Sequence, residues 1–150
     1  NQLIGNGLVF PSGPLRETMS SLKKADLVIL NGRENKKFEE KIFNISNEIK
    51  IFYSEYLPVN IDEFKNKKLF AFAGIGNPEN FFQLLNEYNL DVIDTKIFPD
   101  HYDFSKSEIE NILNKFGDEN VEIITTEKDY NRIKKYGFLD IKYLKITLVF

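Results

Sequence analysis

The chain is 150 residues long, 42% apolar and 29% charged, with a net charge of −3 and no cysteine. That is one domain's worth of soluble globular protein with a real core; it excludes a disulfide frame, a thiolate metal site and a dominant nucleic-acid footprint. The lone histidine, His101, excludes a multi-histidine metal centre, and no apolar run is long enough for a membrane span.

No basic and apolar leader opens the chain, so a cytoplasmic location is the expectation. Asn1 is not Met, and residues 1–10 offer neither a helix cap nor a pairing strand. The chain is therefore expected to begin inside a longer protein. Residues 1–13, with Gly5, Gly7, Pro11 and Gly13, read as loop around a short extended piece at 8–10. Pro14 opens a predicted helix over 14–24, with Leu15, Met19 and Leu22 on one face. Arg16 and Glu17 fall in its first turn. They read either as a solvated helix start or as a functional pair, since the helix dipole disfavours a cation there.

Residues 26–30 (DLVIL) form a short buried strand stopped by Asn31 and Gly32, and 36–45 carry Phe38, Ile42 and Ile45 at helical spacing. Residues 48–56 alternate as a half-exposed strand that Pro58 ends, and 60–68 read as a polar, basic link with a solvated charge cluster at 65–68. The apolar run 69–73 is the next buried strand. Gly74 and Gly76 follow it, then Asn77 as N-cap, Pro78 at the first helical position and Glu79 in the first turn. The helix runs over 78–88, with Asn89 at its C-terminus. A strand over 92–98 breaks at Pro99 into the loop PDHYDF. Ser105 and Glu108 make a capping box for a helix that Gly117 closes. The strand 121–125 leads through Thr126 to Asp129 into a short helix ending at Lys135, before Gly137. Residues 141–150 alternate again.

The order from 69 to 135 is β-α-β-α-β-α, which predicts a parallel sheet with helical crossovers. The alternating segments 48–56 and 141–150 are predicted to pair as an antiparallel ribbon. The C-terminal ends of parallel strands share one edge, where ligands bind. Three polar loops fall on it, at 74–77, 99–101 and 125–129. The first reads either as an ordinary βα turn or as an anion site with free amides at a helix start; its G-x-G-x-x-E lacks the third glycine of a dinucleotide fingerprint. His101, between Asp100 and Asp103, reads either as a solvated histidine or as a group that orients a carboxylate or phosphate. Thr125, Thr126, Glu127, Lys128 and Asp129 read either as a capped helix with a local ion pair or as part of the same site. No glycine is followed by lysine, so a triphosphate cradle of the G-x-x-x-x-G-K-[ST] type is missing, and no G-x-S-x-G elbow occurs.

Five motifs in order carry a resemblance: FPSGPLRE (10–17), ADLVILNG (25–32), FAGIGNPENFF (72–82), FPDHYDFS (98–105) and TTEKD (125–129). Together they resemble the C-terminal part of the tetraacyldisaccharide 4′-kinase (lipid A 4′-kinase) family, over residues 8–150. The resemblance implies an α/β chain. Residues 1–47 would end a P-loop nucleotide-binding domain, 48–60 and 140–150 would form a two-stranded linker, and 61–139 a Rossmann-like α/β/α subdomain. It implies transfer of the γ-phosphate of ATP, with Mg²⁺, to the 4′ hydroxyl of a lipid A disaccharide precursor at the inner face of the inner membrane of a Gram-negative-type bacterium. The Walker A loop, the aspartate-rich motif and the catalytic base would lie upstream, so this segment alone would be inactive, with no nucleotide or metal ligand of its own. Arg16 and Glu17 match the GPLRE pair at the family's active site, and His101 matches the FPDH histidine that partners the base. Tyr102 stands where many relatives carry a second histidine. Gly74, Gly76, Asn77, Asp100, Thr126, Glu127, Lys128 and Asp129 would shape the cleft edge.

A second reading is a free-standing Rossmann-like module that holds a nucleotide or phosphometabolite without catalysis. Gly74 and Gly76 would then face a pyrophosphate and Asp94 a ribose.

Overall fold

The structure, a computed structural model, describes residues 3–116 and 120–150. The chain divides into two compact units, one of Asn1–Leu57 with Thr147–Phe150 and one of Pro58–Ile146. Asn1 and the predicted helix stop at Gly117 lie outside the described residues.

In the first unit, β1 (Leu27–Asn31), α1 (Lys36–Phe43) and β2 (Lys50–Pro58) form a β-α-β run, with β1 parallel to β2. The Asn35 side chain accepts the Phe38 amide at 3.0 Å and starts α1. Tyr53 on β2 donates its hydroxyl to Glu39 at 2.6 Å and accepts the Asn35 amide at 2.9 Å, fastening strand to helix. Leu30, Phe38, Ile42 and Ile49 are the core of this unit. The strand expected to be buried on both faces is buried on one: Leu27 and Ile29 are exposed, as is Phe52, the register partner of Ile29. Residues 14–18 are not helical. Leu15 is held against the preceding loop by its amide on the Leu8 carbonyl (3.2 Å) and by the Phe10 amide on its own carbonyl (2.8 Å), so only the short 3-10 helix Met19–Lys24 forms.

The second unit holds a four-stranded sheet in the order β4-β3-β5-β6, in which every pairing is parallel. Its elements are β3 (Lys68–Ala73), α2 (Pro78–Glu87), β4 (Asp91–Ile97), α3 (Lys106–Phe116), β5 (Val121–Thr126), α4 (Glu127–Ile133) and β6 (Ile141–Leu144). Alternate residues of β3 feed two cores. Phe70 and Phe72 pack with Phe98, Phe104, Ile109, Ile112 and Phe116, while Leu69, Ala71 and Ala73 pack with Phe81, Leu85 and Leu90. That is a three-layer α/β/α arrangement with α2 on one face and α3 on the other. The 60–68 link is not merely polar. It holds the 3-10 helix Ile61–Phe64, whose Phe64 is fully buried in the second of these cores.

The predicted single strand over 141–150 is two strands. Ile141 and Leu144 are buried in opposite cores, as a helix-covered parallel strand requires, so β6 completes the sheet beside β5. β7 (Ile146–Val149) lies beside β2, in the order β1-β2-β7. Of the predicted segment 141–150, only β7 lies beside β2, and β2 is the middle strand of a sheet. Asn60 marks the break. Its buried side chain donates to the Tyr143 carbonyl at 3.1 Å and accepts the Lys145 amide at 2.8 Å, taking up the backbone groups on both sides of the kink.

Phe72 meets Phe98 and Phe104 edge-on at centroid separations of 6.0 and 5.6 Å, so it ties β3 to the loop that carries His101. Phe72→Ala is expected to destabilise the chain by about 3–5 kcal/mol in urea unfolding, because a fully buried ring leaves a cavity.

Candidate functional site

The three loops do converge at the C-terminal edge of the four-stranded sheet. The turn after β3 is the hub. Gly74 donates its amide to Asp129 Oδ2 at 2.8 Å, and its carbonyl accepts from Arg132 Nη1 at 2.9 Å. The same Nη1 lies 2.8 Å from Asp129 Oδ1. Thr126 caps α4 by accepting the Asp129 amide at 3.1 Å and donates its hydroxyl to Asp129 Oδ2 at 2.9 Å. Asp129 is fully buried, and these donors offset the cost of keeping its carboxylate there. Thr125, also fully buried, donates to the Phe72 carbonyl at 2.8 Å and locks β5 against the end of β3.

His101 joins this cluster from the loop after β4. Its Nδ1 lies 3.1 Å from Arg132 Nη2, and its Nε2 is 3.8 Å from Asp100 Oδ2. The ring itself is exposed. The His101 backbone is left-handed, with φ at 59°, an uncommon conformation for a residue with a Cβ and one that gathers at functional sites.

Gly74 packs closely against the rest of the protein. A Cβ there would stand 3.2 Å from the Phe104 ring, 3.3 Å from the Pro99 carbonyl and 3.3 Å from Tyr102 Cβ. A Cβ at Gly76 would meet Asp100 Oδ2 at 3.1 Å. At this turn the Gly74 amide is taken by a carboxylate, and Gly76 faces another. Asp94 sits in mid-β4, paired with Phe70, away from the sheet edge, and its Oδ1 accepts the Thr95 amide at 2.8 Å. Asn77 makes no capping bond with its side chain; α2 starts with Pro78 and carries Glu79 in its first turn. Glu127 and Lys128 are exposed on the first turn of α4.

The network thus gathers Gly74, Asp100, His101, Thr126 and Asp129 in the second unit. Arg16 and Glu17 belong to the first unit, exposed in the segment before the 3-10 helix. They line an open depression of about 500 Å³ with Leu22, Leu30, Phe38 and Ile42. Among the described residues, no group of three His, Cys, Asp or Glu side chains is placed to hold a metal ion. Arg132 escaped the sequence reading. Its signal was its place three residues after Asp129 on one helix, the spacing that sets a cation beside a carboxylate.

Beside His101, Tyr102 takes the other direction. Its hydroxyl donates to Glu108 Oε1 at 2.6 Å, while Ser105 and Glu108 close the expected capping box with bonds of 2.9 Å and 3.3 Å. The Ser105 hydroxyl, 2.6 Å from Oε2, and then the Tyr102 hydroxyl hold the Glu108 carboxyl down, from an ordinary 4.5 to about 2. The same contact, helped by burial, raises the Tyr102 phenol.

The family model for tetraacyldisaccharide-1-P 4′-kinase (LpxK) matches residues 1–150. The chain is 41% identical over 148 residues to a tetraacyldisaccharide 4′-kinase of Pelagibacter ubique, covering 97% of this chain and 47% of that protein. It is 40% identical over 133 residues to the corresponding protein of Rickettsia bellii, covering 88% and 40%. The chain belongs to the tetraacyldisaccharide 4′-kinase family. A crystal structure of the "apo" form of LpxK from Aquifex aeolicus in complex with ATP superposes with a TM-score of 0.64 at 24% identity, over 96% of this chain and 44% of that one, and shows the same fold. The chain spans about half the length of the kinases it matches.

Asp129→Ala, which strips Arg132 and the Gly74 amide of their partner, is expected to cost about 3–5 kcal/mol in urea unfolding, whereas Glu127→Ala stays within about 0.5 kcal/mol. Glu108 is depressed in the folded state, so its stabilising contribution is complete above about pH 4.5 and is lost as the pH falls through about 2. Denaturant melts across that window are expected to show a shallower acid loss for Glu108→Gln than for the unsubstituted chain.

Proposed function

We propose that this chain is the C-terminal part of a kinase that transfers the γ-phosphate of ATP to the 4′ hydroxyl of a tetraacyldisaccharide 1-phosphate in lipid A biosynthesis. Family membership supports the reaction class. The observation that carries the reading to this chain's residues is His101, raised on a left-handed backbone at the sheet edge with Arg132 on one ring nitrogen. Phosphoryl transfer needs little covalent help from the protein. It needs the attacking hydroxyl positioned and its proton accepted. A histidine that holds an upstream carboxylate in place serves that step.

ATP, with Mg²⁺, is read as bound mainly by a P-loop domain upstream of the residues present, because the relatives are about twice as long. The residues of this chain do not fit a triphosphate: no lysine follows a glycine, and the Gly74 amide already bonds Asp129. The first unit is read as the end of that nucleotide-binding domain, β2 and β7 as the link, and the second unit as the C-terminal subdomain. Arg16 and Glu17 are read as contacts to the lipid A disaccharide precursor, with the Arg16 guanidinium offering paired donors to a phosphate oxygen. The reaction is placed at the inner face of the inner membrane. No described helix is long and apolar enough to cross it.

In the whole kinase, His101→Ala is expected to lower kcat by roughly 100-fold with the KM for ATP nearly unchanged, measured by transfer of labelled γ-phosphate to the disaccharide. An unchanged kcat removes His101 from the reaction. This chain alone is expected to turn over no ATP, and turnover by it would overturn the assignment of the phosphate grip to upstream residues.

A further inference from the structure

We propose that Arg132 is a positioning residue: it holds His101 as the Nε2–H tautomer and turns that N–H outward, so that the ring acts as a hydrogen-bond donor and not as a base. The role in catalysis rests on the function proposed above; the tautomer does not.

A guanidinium has five donors and no acceptor. Arg132 Nη2 lies 3.1 Å from His101 Nδ1, so the contact requires the lone pair on Nδ1, and the proton of the neutral ring then sits on Nε2. The guanidinium cannot swing away to relieve this demand. Its Nη1 is bound at 2.8 Å to Asp129 Oδ1 and at 2.9 Å to the Gly74 carbonyl. Asp129 is itself fully buried, with its second oxygen taken by the Gly74 amide and the Thr126 hydroxyl. The fork is thus anchored through one nitrogen and presents the other to the ring. On the far side, His101 Nε2 is 3.8 Å from Asp100 Oδ2, beyond hydrogen-bond length. Among the described residues that donor has no partner within bonding distance, which leaves it available to an acceptor from outside the cluster.

The chemical consequence is a division of labour. With Nδ1 occupied by Arg132 and Nε2 carrying the proton, the ring has no lone pair left to take a proton from a sugar hydroxyl. It can only donate there, which agrees with the carboxylate partner already proposed for it. Arg132 matters through His101 and touches neither substrate nor nucleotide in this account.

The test uses the whole kinase with ¹⁵N-histidine, His101 being assigned by the signals lost in His101→Gln. Long-range ¹H–¹⁵N spectra are expected to show the Nε2–H pattern. Arg132→Lys has one nitrogen to offer, which suffices for Asp129 and not for the ring as well. It is expected to keep a folded-state melt, shift the ring towards mixed tautomers and lower kcat roughly 10- to 100-fold with the KM for ATP little changed. Should the lysine variant fail to fold, the ring pattern of the unsubstituted kinase decides the tautomer by itself. In a His101→Ala background, Arg132→Lys is expected to cost no further kcat, because the pair acts as one unit. An Nδ1–H pattern in the unsubstituted kinase, ring signals unmoved by Arg132→Lys, or additive kcat losses would each overturn the proposal. An unchanged kcat in His101→Ala alongside the expected ring pattern would sink the proposed function and support the tautomer.

Discussion

The second unit is organised around one buried carboxylate. Asp129 accepts from the Gly74 amide, the Thr126 hydroxyl and Arg132, and each donor comes from a different piece of the sheet edge or of α4. An isolated buried carboxylate is too costly to keep ionised. The donors that make it tolerable are also what closes the β3 turn, caps α4 and fixes the guanidinium. Remove the carboxylate and three local structures lose their common partner at once. Arg132, with about a fifth of its side chain exposed, extends the same network to the surface and ends it at His101.

The aromatic packing serves that centre from below. Phe72 reaches Phe98 and Phe104, and Phe98 in turn packs on Tyr102, so the loop around His101 rests on rings from both of its ends. Tyr102 and Glu108 then anchor the loop to the start of α3. The exposed histidine therefore stands on a rigid base, which is what a group must have if it is to hold another group in position.

Much of this was legible in the residues. The apolar run 69–73 and the helical spacings on either side announced a parallel sheet, and S-x-x-E announced the cap of α3. The C-terminal edge of a parallel sheet told where the polar loops meet, because strand direction alone decides that. What escaped has a common cause: contacts between groups far apart in sequence. Asn60 bonds residues 143 and 145, more than eighty positions on, and splits what alternation reads as one strand. Asp129 takes the amide that a glycine turn seems to offer to a phosphate, and lies 55 residues from it. Period and composition do not register such pairs. Phe64 was hidden for a humbler reason: with Ile61 it is one of two apolar residues within a polar stretch.

The occupied turn bears on how a sheet edge of this kind is put to use. In a dinucleotide-binding fold the glycine amides at the helix start are left free and the anion fills them. Here a protein carboxylate occupies the equivalent place, and Asp100 stands against the second glycine. An anion brought to that turn would meet negative charge instead of open donors. The edge presents side chains, with His101 foremost, beside an amide that is already bonded. The same substitution of carboxylate for ligand makes the turn rigid in the absence of any bound group. A histidine held this way through Arg132 would need no reordering to fill the role proposed for it, which is the condition under which positioning lowers a barrier instead of consuming binding energy.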